Sequence, residues 1–197
     1  KHPIIFDYAG QETALVEIKA NDGKPIDNDL IYGEIHGLKK DEDGNTLGGA
    51  VIGLFKADCT EFTRENAILT ATSAGDGGFS FADVPFGNWL VHEIEAPTGF
   101  VLSDETFAVT VDKDGTIIEV EIVNTLIRGT VQLTKVDKDY PDNKLTGSEF
   151  SVYRDSNGNK EIDADDELLG TLTETGTGVY EMPDLIYGGY FVKETKA

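Results

Sequence analysis

The chain repeats its own sequence at a spacing that grows from 96 to 101 residues, and this repetition limits the possible folds more than any other feature. The matched segments are 28–33 with 124–129, 47–55 with 145–153, and 83–93 with 184–194. A repeat of this kind indicates domains in tandem. We therefore predict a complete domain over residues 33–128 and a truncated domain over residues 129–197. Residues 1–32 are predicted to be the C-terminal strands of a preceding repeat.

The pattern within each repeat is typical of short β-strands. Runs of Val, Ile, Thr and aromatic residues alternate with Gly, Asp, Asn and Pro about every 8 to 12 residues, the spacing of a β-sandwich. Strands are predicted at 33–39, 50–56, 68–73, 79–82, 88–95, 105–112 and 116–124. No segment has a convincing helical period. The sequence therefore predicts an all-β chain of tandem immunoglobulin-like β-sandwich domains.

The composition argues against several classes of function. The 16 Lys and Arg residues face 37 Asp and Glu residues, which makes the net charge −21. Such a surface repels phosphate backbones and anionic lipids, so a nucleic-acid or membrane-surface role is not the default expectation. The single cysteine, Cys59, excludes an intrachain disulfide, and no apolar run approaches the roughly 18 residues of a membrane helix.

Three kinds of polar residue continue stripes of apolar side chains that should face the core. Residues i, i+2 and i+4 of a strand share one face. The stripes are Ile118, Val120, Ile122 and then Asn124; Val131, Leu133 and then Lys135; Trp89, Val91 and then Glu93; and Tyr190, Val192 and then Glu194. Lys39 is the first-repeat counterpart of Lys135. A lone buried lysine or glutamate is strongly unfavourable unless it is neutral or paired.

These residue types together support one reaction. Burial favours the neutral amine of a lysine, which is a nucleophile, and the protonated form of a glutamic acid. Such an acid can hydrogen-bond an asparagine carboxamide, polarise its carbonyl group and pass protons to the departing ammonia. The product is an uncharged Lys–Asn isopeptide bond. The alternative is a lysine at a strand end that reaches solvent beside an ordinary ion-pair partner. The recurrence of Lys and Glu at matched positions favours the reaction.

The motifs of this chain resemble those of a known family. They are Gly-x-Ile/Val-x-x-x-Lys-x-Asp, a central Leu-x-Gly-Ala/Ser, Glu93-x-x-Ala-Pro-x-Gly-Phe100 and a terminal Val-Asn. Their combination is similar to Cna B-type, SpaA-like isopeptide-forming domains, which are repeats of Gram-positive surface adhesins and pilins. The resemblance implies that Lys39 is the nucleophile, Asn124 the electrophile and Glu93 the catalytic acid.

The same resemblance extends to the other two repeats. It matches Lys135 and Glu194 to the reactive positions of the last domain, and Asn28 to the terminal asparagine of the preceding one. Lys135 has no asparagine partner in its own repeat, because the sequence given ends at Ala197. We therefore expect the two ends to be complementary, so that head-to-tail self-association could bring Asn28 to the pocket of Lys135 and Glu194 in another copy.

Residues 155–166 resemble a twelve-residue calcium loop of the EF-hand or dockerin kind. The candidate ligands are Asp155, Asn157, Asn159, Asp163 and Asp166, with the main-chain carbonyl of Glu161. Oxygen ligands in this order suit Ca²⁺, but Lys160 stands where such loops carry glycine. The alternative is a solvated polar loop. We expect weak calcium binding and predict no other cofactor.

The sequence predicts a structural function. We expect a stalk or shaft segment of a bacterial adhesin or pilus-like protein, extracellular and attached to a Gram-positive cell wall. Its partners would be neighbouring repeats of the same polypeptide, and its only chemistry would be autocatalytic cross-linking. The alternatives are a ligand-binding adhesin module and a calcium-ordered accessory module of a secreted enzyme. An exposed groove lined with aromatic residues would favour the adhesin module, and a neighbouring catalytic domain would favour the accessory module.

Overall fold

The computed structural model describes residues 29–197, which form thirteen β-strands and no helix. The strands are β1 (Tyr32–Asp41), β2 (Val51–Lys56), β3 (Leu69–Thr72), β4 (Gly78–Pro85), β5 (Gly87–Glu95), β6 (Thr106–Val111), β7 (Thr116–Asn124), β8 (Arg128–Thr134), β9 (Glu149–Arg154), β10 (Glu167–Thr171), β11 (Thr173–Gly176), β12 (Val179–Ile186) and β13 (Tyr190–Lys196). The prediction of an all-β sandwich chain is confirmed. Within the described range, no helix is long and apolar enough to cross a membrane.

The first seven strands build a sandwich of two sheets. One sheet has the order β4-β1-β7 and the other has the order β3-β2-β5-β6. Their facing sides bury a single apolar cluster that draws on six of the seven strands and includes Ile35, Ile52, Leu54, Phe81, Val91, Val111 and Ile122. Burial of this apolar surface is the main force that holds the two sheets together.

The first and last strands of this domain are neighbours. β1 and β7 pair in parallel, with Lys39 opposite Ile122 and Asp41 opposite Asn124. Alternate residues of β7 point into the sandwich, so Ile122 and Asn124 are buried while Glu121 is exposed. The ends of β1 and β7 therefore bring a lysine and an asparagine to the same part of the core.

Gly37 makes room in β1 for a core aromatic ring. It occupies the inward position between Ile35 and Lys39, and a Cβ atom built on it would lie only 1.9 Å from the ring of Phe79. The ring therefore lies directly over the β1 backbone. A larger residue at this position would displace Phe79 from the core beside Lys39.

The last six strands form a smaller sandwich with the same plan. Its sheets have the orders β11-β12-β8 and β10-β9-β13, and its core consists of Phe150, Val152, Leu172 and Tyr180. The repeat makes β8 the counterpart of β1 and β13 the counterpart of β5. Among the described residues no strand pairs with β8 at the edge where β7 pairs with β1. This domain is consequently less enclosed around Lys135.

The connection between the two domains is short and hydrogen-bonded. The N–H of Val101 donates to the Thr125 carbonyl at 2.8 Å, and the N–H of Ile127 donates to the Gly99 carbonyl at 2.9 Å. Arg128 also lies 2.7 Å from Glu42 in an ion pair. The connection after β7 is therefore bonded to the segment that follows β5.

Candidate cross-linking site

Three polar side chains from three strands meet inside the first sandwich. Lys39 lies near the end of β1, Glu93 on β5 and Asn124 at the end of β7. Their exposed fractions are 0%, 1% and 1%. Strand alternation turns each of them inward, and the contact between the two sheets brings them together. The structure thus places a lysine, a glutamate and an asparagine in one water-excluded pocket.

The carboxamide of Asn124 lies against the carboxyl group of Glu93. Its Nδ2 donates to Glu93 Oε2 at 2.6 Å and to the carbonyl of Val101 at 2.6 Å. A carbonyl can only accept a hydrogen bond, so the Val101 oxygen requires the NH₂ side of the amide to face it. This orientation differs from the expectation that Glu93 donates to the Asn124 carbonyl. Glu93 instead lies beside the nitrogen that would leave.

The amine of Lys39 is held close to Glu93 without a tight ion pair. Its Nζ lies 3.6 Å from Glu93 Oε1 and donates to the carbonyl of Ile122 at 3.2 Å. Burial lowers the pKa of Lys39 below its usual value, and the nearby charge of Glu93 opposes this effect. Because this pKa is lowered, a larger fraction of Lys39 carries the neutral, nucleophilic amine at a given pH.

Two buried oxygen atoms of the site have no hydrogen-bond partner within residues 29–197. They are Oε1 of Glu93 and Oδ1 of Asn124. Such atoms are rare in folded proteins and call for an explanation. Here Oε1 faces the amine, while Oδ1 belongs to the carbonyl group that a nucleophile would attack. The unpartnered atoms are therefore the ones that a reaction between Lys39 and Asn124 would use.

The two backbone groups that orient this site were not predicted from the sequence. The Val101 carbonyl binds Asn124, and the N–H of Ser103 donates to Glu93 Oε2 at 2.8 Å. Both belong to the irregular segment between β5 and β6. Every non-proline residue carries these backbone groups, so no residue pattern points to them. Only the position of the segment, directly after Pro97-Thr-Gly-Phe100, could have drawn attention to it.

The last domain arranges its lysine and glutamate differently. Lys135 Nζ lies 2.7 and 2.8 Å from the two carboxylate oxygens of Glu194, and these side chains are 26% and 35% exposed. Val192, expected to face the core, is also exposed. The expected buried stripe is therefore not formed at this position, because no described strand covers it. Asn28, the candidate partner from the preceding repeat, lies outside the described residues.

The side-chain oxygens of the 155–166 loop are occupied by hydrogen bonds within the loop. Asp155 accepts from the N–H groups of Gly158 and Lys160, and Asp163 accepts from the amides of Asn157 and Asn159. Asp166 accepts from the N–H groups of Ser156 and Asp163, and the N–H of Glu161 donates to Asn159. In the part of the chain that the structure describes, no three His, Cys, Asp or Glu side chains are grouped to hold a metal. Calcium binding therefore stays a prediction.

In a variant that cannot form the cross-link, the buried amine of Lys39 should make the free energy of unfolding depend on pH. In an Asn124→Ala chain, Lys39 keeps a free amine with a lowered pKa. Between the lowered and the usual pKa the unfolded chain binds more protons than the folded chain, so the free energy of unfolding should rise with pH across this interval. Urea unfolding at a series of pH values measures it. The matched control is the double variant Asn124→Ala, Lys39→Met, and an equal pH dependence in the two chains would contradict the prediction.

Comparison with protein families assigns this architecture. A family model described as SpaA, a prealbumin-like fold domain, matches residues 33–126 and 129–197. The chain belongs to the SpaA family of prealbumin-like fold domains. The predicted resemblance to SpaA-like domains is confirmed. A comparison with curated proteins found no match.

Solved structures with a similar fold include the Bacillus anthracis TIE protein and several pilins. The Bacillus anthracis TIE protein is 28% identical, with a TM-score of 0.68 over 85% of this SpaA-family chain and 28% of that protein. A streptococcal ancillary pilin is 22% identical, with a TM-score of 0.46 over 86% of this chain and 55% of the pilin. The major pilin SpaD from Corynebacterium diphtheriae is 18% identical, with a TM-score of 0.42 over 79% of this chain and 57% of the pilin. This chain therefore spans between about a quarter and somewhat more than half of these proteins.

Proposed function

We propose that the chain is a structural shaft segment of a surface adhesin or pilus, and that its first domain is closed by an isopeptide bond between Lys39 and Asn124. The observation that carries this proposal is the buried group of Lys39, Glu93 and Asn124. Membership of the SpaA family supports it. The cell-wall location and the association with further subunits belong to the same proposal.

The geometry supports a reaction in which Glu93 handles both proton transfers. Burial in the water-excluded pocket lowers the pKa of Lys39 and so favours its neutral, nucleophilic amine. The Lys39 amine attacks Cγ of Asn124 and forms the new C–N bond. Glu93 Oε1, on the side of the amine, takes a proton from the attacking nitrogen. Glu93 Oε2, 2.6 Å from Nδ2, gives a proton to the departing nitrogen.

The atoms of this reaction balance without a cofactor. One amine and one carboxamide become one secondary amide and one ammonia, and Glu93 ends in the protonation state in which it began. The new secondary amide and the ammonia carry no charge. The cost of burying Lys39 is therefore removed when the bond forms, which favours the product in an apolar core.

The position of the proposed bond suits a protein under tension. The chain enters the domain at β1 and leaves it at β7, and these strands are parallel neighbours. Pulling on the two ends shears the ladder between them. A covalent bond between Lys39 and Asn124 would carry this load before the hydrogen bonds and the core are disrupted. Intact mass spectrometry tests the bond, and single-molecule stretching tests its mechanical role.

We also propose calcium binding by the 155–166 loop. The backbone of Lys160 has φ 64°, so it makes the sharp turn for which such loops use glycine. Hydrogen bonds from the N–H of Asp165 and from the amides of Asn159 and Asn157 hold the pKa of Asp163 below its usual value. Asp163 is therefore an ionised carboxylate at neutral pH, as a calcium ligand must be.

Removing calcium should lower the melting temperature of the last domain. Calcium binds the folded loop and not the unfolded chain, so saturating calcium should raise the melting temperature by roughly 5 °C. Differential scanning calorimetry in calcium and in chelator measures the shift. Asp155→Ala should abolish the shift, whereas Asp58→Ala in the corresponding loop of the first domain should leave it unchanged. Identical melting in calcium and chelator would show that the loop is only a polar connection.

A further inference from the structure

The irregular segment between β5 and β6 makes a series of hydrogen bonds with the end of β7 and with Glu93. The N–H of Val101 binds the Thr125 carbonyl, and the carbonyl of Val101 binds the Asn124 side chain. Two residues later, the N–H of Ser103 binds Glu93 Oε2. Ser103 is itself buried. We refer to residues 101–103 as the positioning segment.

The chain contains two lysine–glutamate pairs with different distances between lysine and carboxylate, and the positioning segment accounts for this difference. Lys135 Nζ donates hydrogen bonds to both carboxylate oxygens of Glu194, at 2.7 and 2.8 Å, although the pair is partly exposed. Lys39 lies 3.6 Å from the nearest oxygen of Glu93, although burial should strengthen their attraction. Within the described residues, Glu194 accepts hydrogen bonds only from Lys135, whereas Glu93 also binds Ser103 and Asn124.

From this contrast we propose that Ser103 is a positioning residue for the cross-linking reaction, and that its backbone N–H holds Glu93 away from a closed ion pair with Lys39. The inference rests on the proposed reaction between Lys39 and Asn124. Ser103 does not touch the reacting atoms and acts through Glu93. The Val101 carbonyl completes the arrangement because it fixes which side of the Asn124 amide faces the carboxyl group.

The physical reason is the state of the lysine nitrogen. In a closed ion pair the lysine is an ammonium ion, which has no free electron pair and cannot attack a carbonyl carbon. When two donors occupy Glu93 Oε2, the carboxyl group is drawn toward Asn124, and the amine makes its hydrogen bonds to main-chain carbonyl groups instead. The segment therefore converts a lysine–glutamate pair of the kind seen in the last domain into a nucleophile beside a proton carrier.

The segment also makes the reaction depend on completed folding. Val101 binds Thr125 directly after β7, so the positioning segment and the last strand take their places together. Before β7 pairs with β1, the Asn124 amide and the positioning segment are not in place to bind Glu93, so Glu93 should remain paired with Lys39. The cross-link should therefore form only after the first and last strands are in register.

Replacing the N–H of Ser103 tests this inference in the full chain. Ser103→Pro removes the donor, and we expect cross-linking to slow by roughly 100-fold near neutral pH, the usual scale of a lost acid–base arrangement. Ser103→Ala keeps the N–H and is the matched control. It should cross-link like the native chain. Intact mass against time after synthesis gives the rates.

The pH dependence separates positioning from a merely structural effect. The acidic groups acting on Lys39 are Glu93 on β5 and Glu105 just before β6. If Glu93 closes on Lys39 in the Ser103→Pro chain, alkaline buffer should deprotonate the amine and restore the reaction. A Ser103→Pro chain that cross-links as fast as the Ser103→Ala chain, or that stays unreacted in alkaline buffer while folded, would overturn the inference.

A second measurement does not need the proline variant to fold. The Lys39→Met chain cannot form the bond, and hydrogen exchange of its Ser103 amide should be slow and should accelerate at least tenfold when Glu93→Ala is added. Exchange that does not depend on Glu93 would overturn the inference. If the native chain retains its full sequence mass while Ser103 exchange is slow and Glu93-dependent, the proposed cross-link fails but the hydrogen bond that positions Glu93 stands.

Discussion

The native chain is expected to have an intact mass that is lower than its sequence mass by one ammonia. Lys39, Glu93 and Asn124 share a buried pocket in which the product amide is uncharged and the reactants are not easily solvated. Peptide mapping should find the peptide of Lys39 joined to that of Asn124. Lys39→Met, Asn124→Ala and Glu93→Ala should each restore the full sequence mass. The first two remove a reacting group, and the third removes the proton carrier.

The last domain offers a matched control for this mass measurement. Lys135 occupies the position equivalent to Lys39, but it forms a partly exposed ion pair with Glu194 and has no described asparagine beside it. Lys135→Met should therefore leave the loss of one ammonia unchanged. Full sequence mass in the native chain, or restoration of the full mass by Lys135→Met, would contradict the proposed bond between Lys39 and Asn124.

Stretching a single molecule should show that most of the first domain cannot be extended. With the bond in place, tension passes from β1 through Lys39 to Asn124 and then to the next domain. The roughly 85 residues between Lys39 and Asn124 then bear no force and are not extended. In the Lys39→Met chain the same residues should be released on unfolding and add about 300 Å of contour length. Force spectroscopy with handles on both sides of residues 33–197 measures the difference.

The unfolding of the last domain provides the reference in each stretched molecule. That domain should lengthen in native and Lys39→Met chains alike, because its lysine forms only an ion pair. Lys135→Met is the matched substitution and should not add length to the first domain. If the native chain releases the full length between Lys39 and Asn124, the first domain carries no covalent load.

The main features of the fold could be read from patterns that repeat along the sequence. The alternation of apolar and polar residues depends only on strand geometry, so the seven strands of the first domain were placed within three residues of their observed bounds. The same alternation indicated that Lys39, Glu93 and Asn124 face inward, and all three are buried. The family resemblance followed from the sequence motifs that contain these residues.

Sequence alternation could not determine which strands are neighbours. The parallel pairing of β1 with β7 joins residues more than 80 positions apart, and it brings Lys39 and Asn124 to the same glutamate, Glu93. Nor could it show that Val192 and Glu194 are exposed, because burial depends on a covering strand as well as on the face of the strand itself.

The sequence by itself therefore determined the repeated all-β architecture and the inward faces that carry the reactive residue types, because both depend on local side-chain alternation. Only the tertiary structure decided how those residues are arranged chemically. It placed the Val101 carbonyl and the Ser103 N–H on Asn124 and Glu93, and it left Lys135 in a closed ion pair. Backbone groups are the same in every residue, so their role depends on where the folded chain places them.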